Sequence, residues 1–214
     1  GGNNAKRWLM IPGWNTNITY TVGNYGFSLP TDNYRDSSIS TPRIMISVHY
    51  YDPWDFCGEE SSNVTQWGET ATNSSKISSW GDESALKSQF SSLYNKFVAA
   101  GYPVVIGEYG SIDKSAYDST SAAQRAEFAK KVCTYAKKYG MVPVLWDNGY
   151  TGTYGFGVID RSTCKVTQQK IIDAIASVYP KSSSSNSSNS SASSLEGTYY
   201  IKSSFSGLYL DVAN

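Results

Sequence analysis

The residues best equipped for chemistry stand at the ends of apolar runs. RWLMIPGW (7–14) leads into Trp14-Asn15, RIMISVHYY (43–51) ends in His49-Tyr50-Tyr51, YPVVIGEYG (102–110) in Glu108-Tyr109, and MVPVLWDNG (141–149) in Trp146-Asp147-Asn148. A carboxylate can act as nucleophile, acid or base, and an imidazole or phenol can donate a hydrogen bond to it. Indole and phenol rings add flat apolar faces that carry a polar handle, which suits sugar rings. Taken alone, a Glu after VVIG fits a structural ion pair equally well. Four runs that all end in functional groups point instead to one shared rim. His49 is the sole histidine of the chain. That argues against a metal-dependent hydrolase holding its ion with His49, Glu108 and Asp147, because such sites take several imidazoles.

The elements that must position these groups can be read from periodicity. The runs are short, nearly continuously apolar and separated by helical patterns, the signature of a parallel sheet covered by helices. Asp82 caps a helix whose Leu86, Phe90, Leu93 and Phe97 share a face, with Gly101 beyond its end. Ser121-Ala-Ala-Gln124 reads as a capping box opening a helix with Phe128, Val132, Tyr135 and Tyr139 on one side. A last helix starts at Thr167 and turns Ile171, Ile172, Ile175 and Val178 inward. Between the first two strands the helical signal is weak, so that unit is abbreviated. Four β/α units suit an open sheet or half of an eight-stranded barrel, and functional groups at every C-terminal strand end favour the barrel. Strict alternation places His49 and Tyr51 on one face, Val104, Ile106 and Glu108 on one face, and Val144, Trp146 and Asn148 on one face. If those faces line a barrel, Tyr51 and Glu108 come within hydrogen-bond reach at its mouth. Asp147 then points away and serves structure.

Composition narrows the function. Eighteen basic residues balance eighteen acidic ones, so no net field draws the chain to nucleic acid or to an anionic membrane. No apolar run has the length of a membrane span. The three cysteines, Cys57, Cys133 and Cys164, follow no metal-site spacing; one pair can bridge in an oxidising compartment, and the sequence does not say which. No cofactor is expected. Residues 181–194 are almost entirely Ser with some Asn and Ala, which cannot bury a core and reads as a flexible tether. Such tethers are expected in secreted, extracellular, modular proteins.

VHYY, VVIGEYG and VLWDNG, in this order and at these separations, resemble glycoside hydrolase family 5, especially its subfamily 4 of endo-β-glucanases. The resemblance runs from Arg7 to about Pro180 and matches the last four strands of that (β/α)₈ barrel. It implies an α/β fold comprising the C-terminal half of a TIM barrel (1–180). It also implies a retaining hydrolase of β-1,4-glucan-type polysaccharide (cellulose, xyloglucan or mixed-linkage glucan), a monomer when full length. The family's nucleophile, at the end of the seventh strand, matches Glu108. Its sixth-strand His-x-Tyr matches His49 and Tyr51, and its eighth-strand Trp matches Trp146. Asn148, Trp14, Trp54 and Trp67 are further candidate sugar contacts, the last two from the long loop after the second strand. The family's acid/base glutamate ends the fourth strand, which is expected upstream of Gly1. Residues 195–214, with GTYYIKSSFSGLYLDV (197–212), resemble the opening of a ricin-type β-trefoil sugar-binding module. A non-catalytic carbohydrate-binding fragment is the alternative reading.

Overall fold

The computed structural model describes residues 7–33, 35–40 and 42–179. The chain divides into Gly1–Lys181 and Ser182–Asn214. The Ser-rich tether and the trefoil-like segment expected after it lie outside the described residues.

Strands β1 (Leu9–Pro12), β2 (Ile44–Tyr50), β3 (Val104–Tyr109) and β4 (Val142–Leu145) form one parallel sheet in sequential order. The β1–β2 connection holds only the five-residue α1 (Ile18–Val22), the abbreviated unit expected. Between β2 and β3 lie α2 (Trp54–Cys57), a long loop and α3 (Glu83–Lys96); α4 (Ser121–Lys138) joins β3 to β4. After β4 come a small antiparallel ribbon, β5 (Ile159–Asp160) with β6 (Lys165–Val166), and α5 (Gln169–Val178). The ribbon had no legible signal, since two-residue strands carry no period.

The helices form where capping and apolar spacing agree. Asp82 accepts a hydrogen bond from Ala85 N at 2.9 Å, satisfying one of the orphan amides of α3. Leu86, Phe90 and Leu93 are fully buried along one side of that helix, and the chain leaves it through Gly101 at φ 86°. The expected capping box at α4 does not form. Thr120 takes the N-cap position without a side-chain bond, and Ser121 Oγ accepts from Lys114 N. The Gln124 carboxamide reaches away to Trp67 N and the Thr70 carbonyl. Tertiary partners outcompeted the local motif. The last helix likewise starts two residues late, because Thr167 N donates to Val158 O instead of opening a turn.

One face of the sheet carries the core. Ile46, Val48 and Tyr50 of β2 and Val104, Ile106 and Tyr109 of β3 are buried against Leu86, Phe90, Phe128 and Val132 of α3 and α4. Tyr50 packs edge-on to Phe90 and parallel to Phe128. The opposite face is open at the edges: Met10, Val142 and Val144 are exposed. Cys57 and Cys133 are buried thiols and Cys164 an exposed one.

The long loop after β2 is fastened to the start of α4 through Asp118. Its carboxylate accepts from Thr65 Oγ1 at 2.7 Å, Gln66 Nε2 at 3.0 Å, Thr120 Oγ1 at 2.7 Å and Lys76 Nζ at 3.0 Å. Burial by itself would raise the Asp118 pKa, but the hydrogen bonds outweigh it and hold the carboxyl well below the usual carboxylate range. Because the folded pKa is depressed, this stabilisation is present above the ordinary aspartate range near pH 4 and fades as pH falls towards the folded value. We expect Asp118→Ala to cost about 2–4 kcal/mol at neutral pH. Thermal melts from pH 7 to pH 2 should show the gap to the parent narrowing as the acid is added. A constant gap would show that the carboxylate's charge is not what holds the loop.

Candidate active site

His49 and Tyr51 leave β2 on the face opposite the helices, two residues apart, as alternation requires. Glu108 reaches the same face by a different route. The β2–β3 register runs Val48↔Ile106 and then His49↔Glu108, so Gly107 is an extra residue in β3. This bulge resets the alternation. Val104 and Ile106 point into the helix-side core, whereas Glu108 points out of it, so the strict alternation expected for Val104, Ile106 and Glu108 is corrected. Glycine suits the extra position because the site is crowded: a Cβ on Gly107 would come within 3.0 Å of Ser47 Oγ and 3.4 Å of the His49 ring.

Around Glu108 the geometry is compact. Tyr51 Oη donates to Glu108 Oε2 at 2.9 Å, inside the reach expected from the strand ends. His49 Nδ1 lies 3.2 Å from the same oxygen. Among the described residues, nothing donates to Oε1. Burial, and then the bond to Glu108, push the Tyr51 phenol well above its ordinary value, so it stays protonated and remains a donor. Both carboxylate and imidazole are a little over one-quarter exposed, open to a ligand without being fully solvated. The arrangement pins one oxygen of a carboxylate and leaves the other without a donor among the described residues, as an attacking carboxylate needs.

The aromatic candidates divide. Trp146 follows β4, its N–H donating to Tyr109 O at 2.9 Å, and its indole is 41% exposed on the face of Val142 and Val144. Trp54 is half-exposed and meets the Tyr51 ring edge-on at 6.1 Å. Its indole lies so close over Gly58 that any Cβ there would collide with it. Trp14 is exposed in a short turn after β1. Trp67, by contrast, is only 2% exposed and belongs to the core. Its Nε1–H donates to Gly81 O and its ring meets Phe128 edge-on, so it cannot floor a sugar site. Asn148 turns its carbonyl oxygen onto Tyr150 N and Phe156 N and shapes the loop after β4.

Asp147 does not face the Glu108 group. It accepts from Val158 N at 2.8 Å and Gly149 N at 2.6 Å, beside Arg161. Burial would raise its pKa, and these backbone amides more than reverse that. Two aromatic residues were missed. Phe156 packs edge-on against Tyr51 at 5.9 Å, and Trp80 is half-exposed in the loop before α3. Phe156 lies in the TGTYGFG loop, where no strand or helix period marks it.

The bulge can be tested directly. Gly107→Val should push the His49 ring off Glu108, lengthening the Nδ1–Oε2 separation past about 3.5 Å. As the only histidine, His49 also gives a single set of imidazole NMR signals to follow. An unchanged separation in a crystal structure of the variant would remove Gly107 as the residue that spaces the pair.

Comparison with known proteins agrees with this architecture. The cellulase (glycosyl hydrolase family 5) model matches residues 2–152. Endoglucanase A of Paenibacillus barcinonensis is 63% identical over 177 residues, covering 82% of this chain and 44% of its own length. Endoglucanase A of Clostridium longisporum is 33% identical over 84% of this chain and 31% of its own length. Among solved structures, a family 5 xyloglucanase from Paenibacillus pabuli, in complex with ligand, superposes with a TM-score of 0.80 at 63% identity. That match covers 83% of this chain and 50% of the xyloglucanase. The chain therefore spans half or less of the length of these relatives, and its parallel sheet corresponds to a fragment of the TIM barrel. With the fold, the strand order and the sequence in agreement, this chain belongs to glycosyl hydrolase family 5.

Proposed function

We propose that the chain supplies the nucleophile side of a retaining endo-acting β-1,4-glucanase. The observation that carries this is Glu108, with Oε2 held by Tyr51 and His49 and Oε1 unengaged among the described residues. In this reading Oε1 attacks the anomeric carbon of the bound sugar, the glycosidic bond breaks, and a covalent glycosyl-enzyme forms that water later releases. Tyr51 keeps the carboxylate aimed through the bond to Oε2. His49 shares that role, and its Nε2 is directed to a neighbouring sugar hydroxyl. Trp146 floors the reacting sugar, while Trp54, with Trp14 further out, stacks along the chain of the polysaccharide.

The leaving oxygen needs a protonated carboxyl about 5–5.5 Å from the nucleophile. Asp147 is engaged by loop amides, Glu59 by Ser61, and Glu69 by Lys131. Glu60 has no such partner but lines a cavity that Glu108 does not share, so we assign the acid/base to a glutamate outside these 214 residues. The longer relatives, an endoglucanase and a xyloglucanase at 63% identity, support a β-1,4-glucan backbone as substrate, with xyloglucan among the candidates. The tether (181–194) and the trefoil-like segment (195–214) are assigned to a secreted, modular protein on composition alone.

In the complete enzyme, Glu108→Gln should lower turnover of soluble β-glucan by about 10⁴-fold while sparing sugar affinity, since an amide keeps the shape but cannot attack carbon. A fluorosugar that traps the intermediate should label Glu108 and no other residue. Near-parental turnover, or a label elsewhere, would remove Glu108 as nucleophile. Sugar binding with neither label nor turnover in the complete protein would favour a non-catalytic binding protein. The 214-residue chain alone should bind sugar weakly and hydrolyse none; hydrolysis that vanishes on Glu108→Gln would show that it contains its own proton donor.

A further inference from the structure

The loops after β2, β3 and β4 border an open cavity of about 330 Å³, whose lining includes Glu60, Asn63, Lys76, Lys114, Tyr117 and Tyr154. Glu108, His49, Tyr51 and Trp146 do not line it. The loop after β4 forms the partition: Phe156 packs on Tyr51, and two residues earlier Tyr154 packs on Tyr117, with ring centroids 5.7 Å apart and planes within 16°. The walls are built, not merely folded over. Lys114 is 2% exposed, and its Nζ donates to the carbonyls of Asp55 at 2.9 Å, Ser62 at 3.1 Å and Val64 at 2.9 Å. Asp118 anchors Thr65 and Lys76 beside it.

Tyr154 itself is strained. Its φ of 66° lies in the left-handed region, which a bulky side chain seldom enters and glycine or asparagine enters readily. Its N–H is held by Asp113 O at 2.7 Å. The backbone gains nothing from tyrosine at this position, so the ring is what the position supplies. Tyr117 is 62% exposed beside it. Among the described residues Glu60 makes no ion pair and Asn63 no side-chain hydrogen bond; with Lys76 paired to Asp118, Glu60 and the buried Lys114 remain as one charge of each sign. A cavity with an aromatic wall, free polar groups and no net charge suits a neutral polyhydroxylated ring.

We propose that this cavity is a saccharide subsite separate from the Glu108 cleft, holding one pyranose unit of a β-glucan against the Tyr117–Tyr154 pair, with Asn63 and Glu60 bonding its hydroxyls. It rests on the β-glucanase reading above for the class of sugar. The unit comes either from the main chain or from a branch, since only the loop carrying Tyr154 and Phe156 separates the two sites. The test is calorimetric titration of the natural full-length protein, carrying Glu108→Gln, with a linear cello-oligosaccharide and with a xylosyl-branched one. Tyr117→Ala and Tyr154→Gly should each weaken binding about tenfold. Tyr154→Gly should not lower the melting temperature, because glycine relieves the left-handed strain. Loss confined to the branched sugar places a branch in the cavity; loss with both places a main-chain unit there. Affinities within about twofold of the parent for both sugars in both variants would overturn the proposal. The assay reads affinity alone, so it stands or falls independently of whether the native protein turns over β-glucan.

Discussion

Everything at the rim of this sheet depends on one extra residue in β3. Without the bulge at Gly107, alternation would carry Glu108 to the helix side with Val104 and Ile106. A carboxylate there would be buried among the apolar side chains of the helix-side core, at a cost of several kcal/mol. The bulge lets β3 satisfy both demands, since its first half and Tyr109 fill the core while Glu108 turns to Tyr51 and His49. Side-chain size limits the device. A Cβ on Gly107 would lie 3.0 Å from Ser47 Oγ and 3.4 Å from the His49 ring, so the residue that resets the alternation also packs directly beside the imidazole.

The rim is stiffened by polar groups whose local sequence suggested other uses. Gln124 looked like half of a capping box and instead holds Trp67 N and Thr70. Asp118 and Lys114 each gather backbone or side-chain partners from the loop after β2. Buried polar side chains must find partners, and a long loop without regular structure has many unpaired carbonyls and amides to offer them. The same exchange explains Trp67, whose indole N–H finds Gly81 O inside the core. These fastenings bear on the Glu108 group, because Trp54 at the start of α2 and Phe156 in the loop after β4 both flank Tyr51.

The two faces of the sheet have different fates. The helix side is closed by α3, α4 and α5 and holds nearly all the large buried side chains. The other side leaves Met10, Val142, Val144 and Trp146 exposed. This face corresponds to the interior of the barrel in family 5 relatives that are at least twice as long as the matched region. It carries both the apolar residues of the lower layers and the Glu108 group at the rim.

By itself the sequence determined the class of fold, the order of the strands and the residues at their C-terminal ends, because those features are local. A run of β-branched residues ending in Glu-Tyr or Trp-Asp-Asn reads the same in any context, and the spacing of Leu86, Phe90 and Leu93 suffices to mark α3. The family motifs around His49, Tyr51, Glu108 and Trp146 were legible for the same reason. Only the tertiary structure decided which tryptophans are exposed and which are buried. Trp54 and Trp67 both lie in the β2–β3 connection, yet one opens α2 and lies over Gly58 while the other packs against Phe128 in the core, a difference set by how that connection closes. It also decided the phase of β3, since a bulge is defined by the register with a partner strand distant in sequence, here Val48↔Ile106 followed by His49↔Glu108. Likewise Ser121 and Gln124 could cap a helix or bind a distant loop, and the choice fell to the partners that folding brought within hydrogen-bond reach.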